Sequence, residues 1–241
     1  MMYSIIFTII FYLIIVPFSF FIVVSTYILS FFPILNKPDV IFKIQRFWGI
    51  FCLKVLGIKI EISGIENINN KQRYLVIANH QSSFDIMLLF KLLNINFRFI
   101  IKEEYFKIPI LGRTFTAAEH ISINRTNSLK ALESLNSALK LITEKNYSIA
   151  IFPEGTRSLD GKIHKFKAGL TFFLENIKIP ILPIVIKGTF DIMPKKSRII
   201  NRSKIKVKIL KSIEIENFTK SEKKQLVNDL QNLIEKEFEN L

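Results

Sequence analysis

Residues 1–36 carry no charged side chain, and a chain of 241 residues has too little other surface to hide so long an apolar stretch. One membrane span needs only about 20 apolar residues. A secretory signal peptide needs a basic start and an apolar core of about 7–15 residues, and no base precedes this stretch. Pro17 divides it and Pro33 closes it. Two arrangements follow: one tilted span, or two shorter helices dipping into one leaflet. The near-equal apolar lengths around Pro17 favour the second, because proline breaks or kinks a helix interior. A pair of buried soluble-protein helices is disfavoured, since hydrophobicity on all sides must be covered on all sides.

The flank is basic. Lys37, Lys43, Arg46, Lys54 and Lys59 face only Asp39, which by the positive-inside rule is a cytoplasmic side. Phe42, Phe47, Trp48 and Phe51 interleave with these bases, as in a helix at the lipid interface; a helix turning its aromatic face inward is the alternative. The division expected is thus a membrane-anchoring segment at 1–36, a basic-aromatic interfacial helix at 37–56, and an α/β domain at 57–241.

In that last part, apolar runs alternate with helical patterns. Strands are expected at 57–62, 74–78, 97–101, 120–125 and 147–152, at 181–186 with an interruption at Pro183, and at 204–209. Helices are expected from His80 onward, over 102–112 ending at Pro109, over 127–142 with Leu132, Leu135, Leu139 and Ile142 inward, over 168–176, and after a capping box at Thr219–Glu222 with Leu226, Leu230, Leu233 and Phe238 inward. Alternation of this kind argues a sheet with helices on its faces.

Lys and Arg number 34 against 20 Asp and Glu, a net charge of +14. Acidic partners follow: anionic lipid, a phosphate-bearing substrate, an acidic carrier protein or nucleic acid. From Ile192 to Ile213 the chain has eight bases and no acid. Lys204, Lys206 and Lys208 alternate with apolar residues, giving one cationic strand face, or an edge strand guarded by lysines. The lone Cys52 excludes an intrachain disulfide and a cysteine zinc cluster, and His80, His120 and His164 lack metal-ligand spacing. No metal site is expected.

Two stretches carry chemistry. Asn79-His80-Gln81-Ser82-Ser83-Phe84-Asp85 lies where an apolar strand runs into a helix, the sheet edge at which α/β folds collect ligands. Asp85 in the first helical turn can reach one nitrogen of His80, leaving the other free to take a proton. An ordinary histidine in a capped turn is the plain alternative. Phe152-Pro153-Glu154-Gly155-Thr156-Arg157-Ser158 also follows a strand. Gly155 permits a tight turn with exposed N–H groups, and Arg157 can fork onto a phosphate. Glu154 could pair with Arg157 or orient a substrate hydroxyl.

Together these stretches resemble the glycerolipid acyltransferases, and within them the 1-acyl-glycerol-3-phosphate acyltransferases, over about residues 70–190. Asn79, His80 and Asp85 match the first block of that family, Phe152–Ser158 the third, and Ile179-Pro180-Ile181-Leu182-Pro183-Ile184 the fourth. The second is matched at Ile123-Asn124-Arg125 but departs at Glu119, where glycine is usual, and at Ser122, where a bulky apolar residue is common. Lys102 and the Lys165-Phe166-Lys167 segment fall where relatives place basic contacts.

The resemblance implies acyl transfer from acyl-CoA or acyl carrier protein to the sn-2 hydroxyl of lysophosphatidic acid, without a resident cofactor. His80 and Asp85 are the implied catalytic pair. Arg125, Arg157, Lys102, Glu154, Gly155 and Thr156 are the implied phosphate-binding set, and backbone N–H groups near the His80 helix are candidate oxyanion donors. The setting implied is the cytoplasmic face of a membrane with anionic lipids. A composition heavy in Phe, Ile, Lys and Asn points to an AT-rich genome, and so to a bacterial inner membrane.

Three other readings remain open. One is an acyltransferase for another lysophospholipid or lyso-aminolipid. A lipid hydrolase is the second, although no Gly-x-Ser-x-Gly elbow exists. The third is a non-catalytic basic binder of nucleic acid, although the run from Lys195 to Lys211 lacks aromatics for base stacking.

Overall fold

The structure, a computed structural model, describes residues 2–32, 37–124 and 128–241. Strands β1 (Ile60–Ser63), β2 (Leu75–Ala78), β3 (Phe97–Lys102), β4 (Ile121–Ile123), β5 (Ser148–Ile151), β6 (Ile181–Lys187) and β7 (Ile205–Ile209) form one sheet in the order β1-β7-β6-β2-β5-β3-β4. Only β6 and β7 pair antiparallel; the other neighbours are parallel. The architecture is a mixed α/β sheet covered on both faces. Parallel strands so covered read as continuous apolar runs, which is why β2, β5 and β6 stand out in the sequence.

The pleat sorts the core into two layers. Val76, Ala78, Leu182, Ile184 and Ile186 point to one layer, shared with helices α1 (Met2–Leu29), α2 (Pro38–Leu56) and α3 (Phe84–Leu92). Leu75, Ile77, Ile149, Ile151 and Val185 point to the other, shared with α6 (Ser128–Glu144), α7 (Gly169–Asn176) and α9 (Lys220–Asn240). The short helices α4 (Glu103–Phe106), α5 (Leu111–Ala117) and α8 (Thr189–Ile192) lie in the connections.

Several expectations need correction. α1 runs unbroken through Pro17. Proline removes one intrahelical bond and costs about 3 kcal/mol, but the next residues are gripped by α2: the Trp48 indole N–H donates to Ser19 Oγ at 2.8 Å, and Phe18 packs on Phe51 at 4.1 Å. The helix pair is therefore α1 with α2, not two halves of α1. α2 starts with Pro38 and ends at Gly57 in the left-handed region, φ 61°, the usual proline-start, glycine-stop asymmetry. Its Phe42, Cys52, Leu53 and Leu56 are core residues, so α2 packs with the α/β domain while Phe47 stays exposed.

β7 lies between β1 and β6 and is not an edge. Its basic face meets the end of α9, where Lys208 pairs with Glu237 and Lys206 reaches the Leu241 carbonyl. Pro183 does not interrupt β6, because its own oxygen accepts from the Leu210 N–H at 3.0 Å and Ile184 resumes pairing with β7. The chain resumes as α5 beyond Pro109. The capping box at Thr219 and Glu222 is formed, and Ile234 rather than Leu233 continues the buried stripe of α9. On α6, Leu135, Ala138 and Ile142 are buried, whereas Leu132 is exposed.

Candidate active site

The parallel strands β2, β5 and β3 end together, and their C-terminal edge holds the motif residues. Asn79 continues β2 with its side chain: its amide N–H donates to the Ile186 carbonyl and its oxygen accepts from the Ile186 N–H, each at 2.8 Å. Asn79 thus fixes the point at which the chain leaves the sheet, and His80 follows.

Asp85 is fully buried. Its Oδ2 receives His80 Nδ1 at 2.8 Å and the N–H groups of Gln81 and Ser82 at 2.6 and 2.8 Å. Its Oδ1 receives the Thr189 hydroxyl at 2.6 Å. With a carboxylate oxygen opposite Nδ1, the proton of a neutral His80 sits on that nitrogen and Nε2 is the free base. Nε2 has no protein partner among the described residues, and the imidazole is 14% exposed. Phe152 stacks on the ring at 3.9 Å and 15°, with Phe99 beyond it. The ring plane is set from its face and its tautomer from its edge.

The second motif locks onto the first. Glu154 Oε1 accepts the His80 backbone N–H at 2.7 Å, and the His80 carbonyl accepts the Ser158 N–H at 2.8 Å. Glu154 Oε2 takes the His164 N–H at 3.0 Å. Glu154 is buried, and this desolvation pushes its carboxyl up to about 7 despite the two N–H donors. That corrects the sequence reading on one point: Glu154 does not pair with Arg157, because both its oxygens accept backbone N–H groups. Gly155 adopts φ 73°, the left-handed turn glycine allows, but its N–H is spent on the Phe152 carbonyl at 2.9 Å. The Gln81 and Ser82 N–H groups are likewise taken by Asp85, so neither is free as an oxyanion donor.

Arg157 donates to Ser83 Oγ at 2.9 Å, which brings its guanidinium to the first turn of α3. Thr156 Oγ1 accepts from Lys195 Nζ at 2.7 Å. Lys195 belongs to the basic run whose charge was legible but whose place was not. Lys102 ends β3 on the same sheet edge, level with Ile123 of β4, and pairs with Glu104 at 2.8 Å. Arg125 lies outside the described residues, as does residue 127, where the helix expected over 127–142 would begin. Lys165 and Lys167 are exposed beside buried Phe166. Thr189 was missed altogether: no motif contains it, and it stands 104 residues from Asp85.

A family model described as Acyltransferase matches residues 59–187. The chain belongs to the Acyltransferase family. The matched span runs from just before β1 to the end of β6 and so includes His80, Asp85 and the Phe152–Ser158 loop. A curated 1-acyl-sn-glycerol-3-phosphate acyltransferase from Limnanthes alba is 37% identical over 171 residues, covering 71% of this chain and 60% of that protein. The protein of the same name from Saccharomyces cerevisiae is 32% identical over 168 residues, 69% of this chain and 55% of that one. The chain thus spans about 60% of the length of the plant relative it matches. Among solved structures, the 1-acyl-sn-glycerophosphate (LPA) acyltransferase of Thermotoga maritima matches with a TM-score of 0.77 and 27% identity, over 99% of this chain and 96% of that one.

Proposed function

We propose that this protein transfers a fatty acyl group from a thioester donor, acyl-CoA or acyl carrier protein, to the sn-2 hydroxyl of lysophosphatidic acid, giving phosphatidic acid. The observation that carries this reading is the His80–Asp85 pair with, among the described residues, Nε2 unpartnered and no nucleophile presented to it. Ser82 Oγ donates to the Met193 carbonyl at 2.8 Å, and Ser83 Oγ accepts from Arg157. A hydrolase using either serine would need it turned to His80, so the attacking oxygen is best supplied by the substrate.

Nε2 takes the acceptor's hydroxyl proton as its oxygen attacks the thioester carbonyl. The tetrahedral intermediate then expels the thiolate, which recovers the proton from His80. The Asp85 charge stabilises the imidazolium formed between these steps. Arg157, Lys195 and the Thr156 hydroxyl hold the phosphate, with Lys102 as a further cation on the same sheet edge. Glu154 acts through the backbone of His80. Names of the relatives support lysophosphatidic acid as acceptor, and the cation cluster suits a phosphate monoester.

The membrane is the source of the acceptor. α1 is long and apolar enough to cross a bilayer, yet a stripe of Thr8, Phe11, Ile15, Ile22 and Thr26 is buried against the protein. From Thr8, bonded to Ile200, to Ser30, bonded to Arg113, the helix is tied alongside the domain. Its other faces expose Ile6, Ile10, Leu13, Phe20 and Phe21. A helix so held enters one leaflet from the side more readily than it spans, and the basic flank favours the cytoplasmic face for the site.

Membranes carrying wild type or His80→Ala, given lysophosphatidic acid with each donor, test the reading. Phosphatidic acid is expected from the wild type alone. More than a few per cent of the wild-type rate in the variant removes His80 from the base role, and product only from a different lysolipid reassigns the acceptor.

A further inference from the structure

Asp85 offers two oxygens, and only one is committed to His80 and the α3 turn. The other, Oδ1, faces Thr189 at the start of α8, which follows β6. Thr189 is fully buried, and its hydroxyl donates to Asp85 Oδ1 at 2.6 Å. Its position is set by backbone. Gly188 before it adopts φ 95° and lies so close to β7 that an added Cβ would stand 2.1 Å from the Lys204 carbonyl oxygen. The turn out of β6 is therefore fixed, and the first side chain after it is delivered to the carboxylate. The Thr189 carbonyl accepts the Met193 N–H at 3.1 Å, so the backbone bonding of α8 does not need the hydroxyl.

We propose that Thr189 is a positioning residue for the His80–Asp85 pair: its hydroxyl holds the Asp85 carboxylate rotated so that Oδ2 faces Nδ1. A buried carboxylate oxygen without a donor carries a large desolvation cost. Without Thr189 the carboxylate relieves that cost by turning toward another donor, and that change weakens its hold on the imidazolium. Thr189 touches neither substrate, so the loss falls on the chemical step. The proposal rests on the His80 base role proposed above; the hydrogen-bond relation itself is independent of which acceptor is used.

The test compares Thr189→Val, which removes the hydroxyl at nearly constant shape, with Thr189→Ala, which leaves room for a water, and Thr189→Ser, which keeps the hydroxyl. Kinetics are read on lysophosphatidic acid with wild type and His80→Ala alongside. In Thr189→Val, kcat should fall about 10- to 100-fold while KM for both substrates stays within about twofold. Thr189→Ser should retain nearly all of the rate, and Thr189→Ala should lie between them. Equal kcat in the Val and Ser variants, or a change confined to KM, overturns the proposal.

A second readout does not need turnover. The low-field proton resonance of His80 Nδ1–H, assigned by its loss in His80→Ala, should shift in Thr189→Val and be restored in Thr189→Ser. An unmoved resonance in Thr189→Val overturns the proposal even if the wild type were to use another acceptor. Absence of wild-type turnover with the expected resonance changes would instead count against the proposed reaction and leave the role of Thr189 supported.

Discussion

Replacing Asp85 with Asn separates charge from geometry at this site. The Oδ2 position must accept from the Gln81 and Ser82 N–H groups, at 2.6 and 2.8 Å, so an amide nitrogen there would face two donors. The amide therefore takes one orientation: its oxygen at the Oδ2 position and its NH2 toward Thr189, whose hydroxyl can turn to accept. That arrangement keeps both turn bonds, and it still accepts the His80 Nδ1 proton and so preserves the tautomer. What it loses is the negative charge. The stability cost should be about 1–2 kcal/mol, the difference between a charged and a neutral acceptor. The loss in kcat should be on the order of 10²- to 10³-fold, the share general-base catalysis owes to a stabilised imidazolium. Asp85→Ala, by contrast, leaves the buried Gln81 and Ser82 donors without an acceptor, at about 1–3 kcal/mol each, and should disrupt the turn itself. Initial rates of acyl transfer to lysophosphatidic acid, with thermal unfolding of the same preparations, read both quantities. An Asn variant within tenfold of the wild-type kcat would refute the charge argument. One as destabilised as the Ala variant would refute the orientation argument.

Glu154→Gln should flatten a pH dependence of stability. Burial pushes the Glu154 carboxyl up to about 7 from an ordinary 4.5, so its stabilising contribution is complete below about pH 4.5 and is lost as pH rises through 7. Between pH 4.5 and pH 8 the wild type should lose about 3 kcal/mol relative to the variant in urea unfolding; parallel profiles would sink the assignment. Arg157→Ala and Lys195→Ala should each raise KM for lysophosphatidic acid by about tenfold with little change in kcat, and an acceptor lacking the phosphate should not distinguish them from wild type. An unchanged KM would take that side chain out of the phosphate site. Leu13→Ser, Phe20→Ser and Phe21→Ser should each weaken partitioning onto anionic vesicles by about tenfold, the value of one lost large apolar side chain, and unchanged partitioning would mean that this face does not meet lipid.

The sheet was legible because its central strands are buried on both faces and carry little but Ile, Leu, Val and Ala. The two motifs were legible for a related reason: each sits at a strand end, and their residue types suit proton transfer and anion binding. The direction in which a side chain turns was not. Glu154 reads as a polar group beside Arg157, yet it faces backbone N–H groups of His80 and His164, 74 and 10 residues away. Thr189 is equally hidden, since its importance depends on a pairing of β2 with β6 that local pattern does not encode. Pro17 misleads because the cost of a proline in a helix is local, whereas the contacts that offset it come from Trp48, which bonds Ser19 across 29 residues of sequence.

These placements also explain why an apolar helix and a polar site share one chain. The segment after α8 touches both. Met193 accepts the Ser82 hydroxyl at its carbonyl, and its sulfur lies 3.6 Å from the Tyr12 hydroxyl of α1. Two residues on, Lys195 reaches Thr156, and five further on the Ile200 N–H donates to Thr8 of α1 at 2.8 Å. Phe11 of α1 meets Phe84, one residue before Asp85 in sequence, edge to face at 5.9 Å. The N-terminal half of α1 is thus joined within two contacts to both motifs, while Ser30 just past its C-terminal end is held by Arg113 of α5. An acceptor lying in a leaflet beside α1 would keep its acyl chain against the exposed Ile6, Ile10 and Leu13 while its headgroup rises toward Arg157 and Lys195. If α1 meets lipid as proposed, such an amphiphile need not leave the bilayer to react, because the helix is tied by these contacts to the residues that bear the motifs.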